Sequence, residues 1–403
     1  MPYPKNIPLS SAEELIGAAL SGRVLRSERV DLYAAAGRVS ADDVILGHAL
    51  PPFAQAAMDG FAVRYDELAA HTSLRVVGSA RAGGGFHGDA PPMSAVRVAT
   101  GAPLPVGYDT IVVDEHCTRC DDRIVLAAIP KRGANVRPAG EDATRGARLV
   151  ARGEHIGPAH LALLAAGGIQ PVRVFAAPRV AIVGLGSELT EPGKPLAADH
   201  VYQCNNALLH ALVTEAGATV QCREQWPDDP EAIGDALTRI AASADLILTA
   251  GGVSTSEFDP LPPLVAQHGH IHFWQIQVKP GHPTLFGDWR DTPLFGLPGN
   301  VASVFTMFHV LVKPALRQLA GARPHLPERT PMALRGNLLK SHPRPEIQRG
   351  RWGIGDGGRA FVEPLATQQP HRLVSLKDVN ALIHLPAGAN EWRSGDHVAV
   401  ERL

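Results

Sequence analysis

From Pro178 onward the chain switches repeatedly between short apolar runs of strand character and helical repeats, and this alternation constrains the fold more than any other feature. RVAIVGLG is followed by a helical pattern near 201–216, then by ATVQCREQ, PEAIGDALTRIAASA and DLILTAGG, the order expected of a parallel α/β sheet. PLPPLVAQHG, the strand-like HIHFWQIQVK, PLFGLPG and a long apolar helix from Asn300 to about Ala320 continue the pattern. One domain over 178–322 accounts for it, because about 140 residues is an ordinary domain size.

The flanks read differently. Residues 10–48 are helix-prone and end in a strand-like segment, whereas 49–140 consist of short strands and glycine turns, including Arg81-Ala82-Gly83-Gly84-Gly85-Phe86. DTIVVDEHCTRCDDRIVLAAI, from Asp109 to Ile129, has two β-rich halves around a polar tip and is expected to form a hairpin. Helical signals return after Gly140 in GPAHLALLAAGG, so 1–48 and 141–177 are expected to form one discontinuous helical and linker domain with the β-rich module inserted. Beyond residue 322 the helical period is lost. Short strands in RWGIG, RAFVEPL, ALIHLP and DHVAVERL predict a small β-barrel or sandwich over 323–403. The fold class is therefore α/β plus β, in a chain of 403 residues that is long enough for about two to four folded units.

Charge and hydropathy narrow the function. Lys+Arg 38 against Asp+Glu 40 gives a formal charge of −2, which supplies no basic field for a nucleic-acid backbone. Apolar runs such as that from Val301 to Val312, interrupted by His309, fall short of a membrane span. The first residues lack a basic-then-apolar export signal, and Ser11-Ala12-Glu13-Glu14 reads as a capping box with Ser11 as cap and Glu14 three residues on. A cytoplasmic enzyme or binding protein is expected, with no nucleic-acid and no membrane partner. Cys117 and Cys120 have a zinc-like spacing, but Cys204 and Cys222 are isolated and complete no second pair, so reduced hairpin thiols are the simpler reading. His270 and His272 share one strand face without a third ligand nearby in sequence.

In open α/β sheets ligands lie beyond the carboxyl ends of the strands, and here those ends carry the chemistry. Val183-Gly184-Leu185-Gly186-Ser187-Glu188-Leu189 turns on two glycines with Glu188 directly behind them. Thr249-Ala250-Gly251-Gly252-Val253-Ser254-Thr255-Ser256-Glu257-Phe258-Asp259 ends a strand in paired glycines and then presents hydroxyls and two acids. Gly296-Leu297-Pro298-Gly299-Asn300 runs into the long helix, whose free N-terminal amides are expected to favour an anion. Glycine amides hold phosphate oxygens without bulk, and carboxylates at the rim hold Mg²⁺ between those oxygens. Lys279 adds a cation at another strand end, where it would stabilise developing negative charge. The pattern suits a phosphoanhydride. A dinucleotide fingerprint fits less well, because GLGSEL lacks the third glycine and is followed by Glu191-Pro192-Gly193-Lys194-Pro195 where a helix should begin.

The same segments, in order, resemble the molybdopterin molybdenumtransferases, the MoeA-type family to which the C-terminal part of gephyrin belongs. PPFAQAAMDGFAV resembles that family's PPFDNSAMDGYAV, and Arg97-Val98-Ala99-Thr100-Gly101-Ala102-Pro103-Leu104-Pro105 resembles its RI-TGA-LP segment. Gly140-Glu141-Asp142, GLGSEL against STGDEL, Asp228-Asp229, GGVSTSEFD against GGVSVGDYD, KPGHP against KPGKP, and LPGN extend the match over nearly the whole chain. The resemblance implies an elongated, four-part homodimer with a molybdopterin-binding-type α/β domain facing the β module of the partner subunit. It also implies a transferase reaction in molybdenum cofactor biosynthesis. Adenylylated molybdopterin, supplied by a separate molybdopterin adenylyltransferase, is cleaved at its pyrophosphate while molybdate is inserted, releasing AMP and the cofactor for apo-molybdoenzymes.

Carried over by motif, the family's functional acids fall on Asp59, Asp142, Glu188, Asp228 and Asp259, with Thr100 and Lys279 beside them. Glu188 and Asp259 are assigned to Mg²⁺ and pyrophosphate, and Asp59 with Asp142 to the partner-side wall. Gly251, Gly252, Ser254, Pro298, Gly299 and Asn300 are expected to bind substrate, with Lys279 and Arg349 as candidates for phosphate or molybdate. For Asp228 a plain helix N-cap is the competing reading. Departures include Ala54, Gln55 and Ala57 in the first motif, Leu185 and Ser187 in GLGSEL, Ser256, and Val301 after LPGN; Gln275 and His282 stand where the family often has lysine. Two readings follow: an active transferase for molybdate or tungstate, or a diverged paralogue that carries molybdopterin without inserting metal.

Overall fold

The computed structural model describes residues 3–68, 72–254 and 259–403. Thr255, Ser256, Glu257 and Phe258 of the glycine-hydroxyl loop lie outside the described residues.

The strand-helix alternation folds into a seven-stranded sheet in the order Lys5–Ile7, Gly269–Ile276, Leu285–Trp289, Thr292–Leu297, Leu246–Ala250, Arg179–Leu185 and Thr219–Trp226. The last three strands and Thr292–Leu297 run parallel, as expected. Leu285–Trp289 does not: it is antiparallel to both neighbours, so the sheet is mixed. Its two-residue turn, Arg290 and Asp291 at φ 47° and 68°, is the left-handed pair that lets a hairpin keep its right-handed twist. Helices cover both faces. In Pro230–Ala241 the buried Ile233, Ala236, Leu237 and Ile240 fall at the three- and four-residue spacing that makes one apolar stripe.

The first helix spans Leu9–Ala19 and starts after Pro8, with no side-chain cap. Ser11 is thus inside the first turn and the expected capping box does not form. Ala12, Ile16 and Leu20 pack into the sheet core with Val180, Ile182 and Phe273, and Lys5–Ile7 is an edge strand beside Gly269–Ile276. The segment expected in the unit 1–48 with 141–177 is therefore divided: its beginning serves the α/β layer, while Ser27–Val30 pairs with Val172–Phe175 and Val44–Ile45 with Arg148–Val150.

Between those pairs lies a six-stranded sheet in the order Thr110–Val113, Gly60–Val63, Ser94–Val98, Ser73–Ala80, Arg123–Leu126 and Cys117–Cys120. The expected hairpin is confined to its last two strands. Thr110–Val113, the first half of that stretch, pairs instead with Gly60–Val63 at the opposite edge of the sheet, with all four of its residues buried. The C-terminal region closes as a five-stranded barrel from Arg329–Leu334, Ala360–Pro364, Glu346–Ile354, Ala381–Leu385 and His397–Arg402. The long apolar helix is interrupted: Val301–Met307 and Lys313–Leu319 are α-helical, and Phe308–Val312 between them is a π turn.

Candidate functional site

The carboxyl ends of Arg179–Leu185, Leu246–Ala250 and Thr292–Leu297 meet at a cleft of about 350 Å³. Gly251 and Gly252 form its floor, at φ 98° and 68°. A Cβ on Gly251 would lie 2.3 Å from the Leu185 carbonyl oxygen, so only glycine allows the two strand-end loops to touch. The Pro298-Gly299-Asn300 turn closes the other side, where a Cβ added to Gly299 would lie 3.8 Å from the Gly251 Cα.

Three carboxylates border this cradle: Glu188, Asp228 and Asp259. Glu188 folds back over Gly186, where an added Cβ would come within 2.6 Å of its carboxylate oxygen. Asp228 accepts the Ser187 backbone N–H at 3.1 Å, and Asp228 in turn donates its own N–H to the Ser187 hydroxyl at 3.1 Å. The N-cap of the following helix is Asp229, which accepts from the Glu231 and Ala232 N–H groups. Asp228 is thereby released from the capping role and faces the cleft. The Asp259 carboxylate accepts the Ser254 N–H at the end of the glycine floor.

Glu188, Asp228, Gly251, Gly252, Ser254, Asp259, Pro298, Gly299 and Asn300 are thus gathered in one place. The helix amides behind Asn300 differ from expectation. Ala302 N–H donates to the Pro370 carbonyl, and Ser303 and Val304 donate to the Asn300 carbonyl, so these three are not free for an anion. Asn205 and Pro283 also line the cleft and were not singled out from sequence. The Asn205 amide donates to the Gly299 carbonyl at 2.7 Å and fixes the turn. Its signal was the amide cluster Gln203-Cys204-Asn205-Asn206 at a strand-to-helix junction.

The remaining predicted residues lie outside this lining. Asp59 accepts both the Thr100 N–H at 2.6 Å and the Thr100 hydroxyl at 2.8 Å. The backbone bond and then the hydroxyl hold its carboxyl below the usual range. Gly60 beside it serves packing more than bending, since an added Cβ would meet the Val112 carbonyl oxygen at 2.1 Å. Asp142 is exposed, with its N–H on the Leu50 carbonyl at 3.0 Å. Lys279 joins the α/β domain to the barrel through backbone bonds with Pro345 and Ile347. His282 directs Nδ1 at the Ile276 carbonyl, 2.8 Å away.

Arg349 is fully buried in the barrel. One of its terminal nitrogens donates to the Thr367 and Gln369 carbonyls, while its other two nitrogens find no partner among the described residues. Burial lowers its pKa. The loop it braces carries Pro370, the acceptor for Ala302, so Arg349 reaches the cleft helix through one loop.

A few oxygen ligands next to phosphate-binding amides suit Mg²⁺. Among the described residues no group of three or more His, Cys, Asp or Glu is placed to cage a metal. Mg²⁺ bound together with substrate phosphates needs only one or two carboxylates. Glu188 and Asp259 meet that requirement.

With this geometry in place the relatives are informative. Residues 7–168 match the MoeA N-terminal region (domain I and II), 181–318 a probable molybdopterin binding domain, and 332–403 the MoeA C-terminal region (domain IV). A molybdopterin molybdenumtransferase of Haemophilus influenzae is 33% identical over 93% of this chain and 94% of its own length. Molybdopterin molybdenumtransferase 2 of Mycobacterium tuberculosis is 32% identical, covering 94% of this chain and 95% of its own. The crystal structure of the molybdopterin biosynthesis MoeA protein from Pyrococcus horikoshii superposes with a TM-score of 0.83 at 26% identity, covering 98% of this chain and 99% of that one. No helix among the described residues is long and apolar enough to cross a membrane. The chain is a member of the molybdopterin molybdenumtransferase family.

Proposed function

We propose that this protein is a molybdopterin molybdenumtransferase that inserts molybdate into adenylylated molybdopterin, with cleavage of the pyrophosphate and release of AMP. The observation that carries this reading is the cleft itself, where the Gly251-Gly252 floor and the Pro298-Gly299-Asn300 turn are ringed by Glu188, Asp228 and Asp259. Relatives named as transferases favour metal insertion over a carrier role.

In this reading the glycine loops seat the phosphoanhydride and Asn205 keeps the Gly299 turn rigid. Glu188 and Asp259 would hold Mg²⁺, which when bound neutralises phosphate charge and favours attack at phosphorus. Asp228, kept in place by Ser187, would orient the attacking oxygen. Lys279 would supply positive charge that attracts molybdate, a dianion, while the buried Arg349 would act indirectly, by holding the loop that carries Pro370. Asp59, Thr100 and Asp142 lie outside the cleft lining of their own chain and would complete the cleft of a partner subunit in a homodimer. The setting would be cytoplasmic, between an adenylyltransferase that supplies the substrate and the apo-molybdoenzymes that receive the product.

The test incubates purified protein with adenylylated molybdopterin, Mg²⁺ and graded molybdate, and measures AMP release and activation of an apo-molybdoenzyme. AMP release that rises with molybdate is expected. Cofactor binding without molybdate-dependent AMP release would overturn the transferase reading.

A further inference from the structure

The apolar helix that leaves the cleft carries a feature the transferase chemistry does not use. His309 lies in its π turn, Phe308–Val312, a local widening that frequently marks functional positions. The side chain is 3% exposed, and neither ring nitrogen has a partner among the described residues. A buried polar group left unpaired destabilises the fold, so a histidine here in place of leucine needs a reason. Its ring packs on Phe305, 4.6 Å between centroids, and borders a cavity of about 350 Å³ between this helix and the barrel. Burial, and secondarily the charge of Lys313, lowers its pKa to about 3. The ring is therefore neutral near pH 7 and offers one N–H donor.

The cavity wall around His309 is charged. Lys313 and Arg317 follow it at four-residue intervals, on the same helix face. The Lys313 ammonium makes no ion pair or hydrogen bond among the described residues, and Arg317 donates to the Pro324 carbonyl at 2.9 Å. Across the cavity Arg402 lies over the Trp352 ring, 5.3 Å from its centroid. Two side-chain carboxylates share the wall, Glu401, which is 3.4 Å from His384, and the solvent-exposed Glu328, and Leu403 with its terminal carboxylate lines it as well.

We propose that this cavity binds a small tetrahedral oxyanion, free or as the terminal group of a compact organic phosphate, through Lys313, Arg317, Arg402 and the N–H of His309. An ammonium and two guanidinium groups lining one cavity with a buried neutral donor are the elements of charge-assisted oxyanion recognition. Trp352 provides an aromatic wall for the organic part, should there be one. The site does not include Glu188, Asp228 or Asp259 and is independent of the function proposed for them.

The test titrates the full chain at neutral pH with inorganic phosphate and, separately, phenyl phosphate, following the imidazole NMR signals of His309, assigned with His309→Gln. Wild type and Asp259→Asn are expected to show the same saturable shift, and Lys313→Met and Arg402→Gln to bind about tenfold or more weakly. Tighter binding of phenyl phosphate identifies an organic ligand, and equal binding identifies the free ion. Absence of a saturable shift with both probes, or undiminished affinity in both charge variants, overturns the proposal. A shift abolished by Asp259→Asn alone would place the phosphate in the cleft and overturn it equally.

Discussion

Asp228 and Ser187 are cross-linked in both directions, each accepting the other's backbone N–H at 3.1 Å. This holds the GLGSEL loop against the end of the neighbouring strand and leaves helix capping to Asp229. The two adjacent acids should therefore respond differently to substitution. Asp228→Asn should lower kcat by about 100-fold with little change in Tm. Asp229→Ala should remove about 1 kcal/mol of stability with kcat nearly unchanged. Kinetics and thermal melts on the two variants check the assignment; the reverse outcome would return Asp228 to a structural role.

The two glycine loops give a second contrast. In Gly251→Ala the new methyl would stand 2.3 Å from the Leu185 carbonyl, at a φ of 98° that disfavours side chains. Neither backbone can yield cheaply, and a loss of about 2 kcal/mol or more is expected. In Gly186→Ala the clash is with the flexible end of Glu188, and although the φ of 152° also disfavours a side chain, the loss of stability should be smaller than in Gly251→Ala. That variant should fold, lose about tenfold or more in turnover, and need more Mg²⁺ for half-maximal rate. Urea melts and Mg²⁺ titrations separate the two effects.

These contrasts also show where the sequence was readable. Strands such as Leu246–Ala250, buried at every position, and the helix Pro230–Ala241, with its single apolar stripe, announce themselves by local pattern. The barrel strands do so by alternation. Leu285–Trp289 was missed because its turn uses Arg290 and Asp291, with no glycine or asparagine to mark it. Lys5–Ile7 is three residues long and is fixed by an edge more than 260 residues away in sequence, which no local window detects. At the site, glycines and acids at strand ends were legible by type. Which of Asp228 and Asp229 caps the helix depends on a loop some 40 residues earlier, through Ser187.

The Asp59–Thr100 contact is tested without reference to catalysis. The carboxylate takes one bond from the backbone N–H and one from the hydroxyl, and the backbone bond is the stronger cause of its lowered pKa. Thr100→Ala removes only the hydroxyl. The Asp59 pKa should rise part of the way toward its ordinary value, so that on acidification the carboxylate protonates at higher pH in the variant than in wild type. Carbonyl NMR titration of Asp59 reads this directly, and identical titration curves would show that the hydroxyl contributes nothing.

His309 links the buried π turn to the acid limb of stability. Its ordinary pKa of 6.5 applies in the unfolded chain, and in the folded protein burial and Lys313 lower it to about 3. Below about pH 6.5 the unfolded state takes up a proton that the native state refuses, so stability falls with decreasing pH until the native ring also protonates. At about 1.4 kcal/mol per pH unit, this one group removes about 2 to 3 kcal/mol between pH 7 and pH 4.5. His309→Gln has no such proton to bind. Urea midpoints measured at both pH values in chloride buffers should show wild type losing more stability than the variant by about that amount. Parallel losses in the two proteins would mean that the ring is hydrated and accessible in the native state, contrary to the burial that sets its pKa.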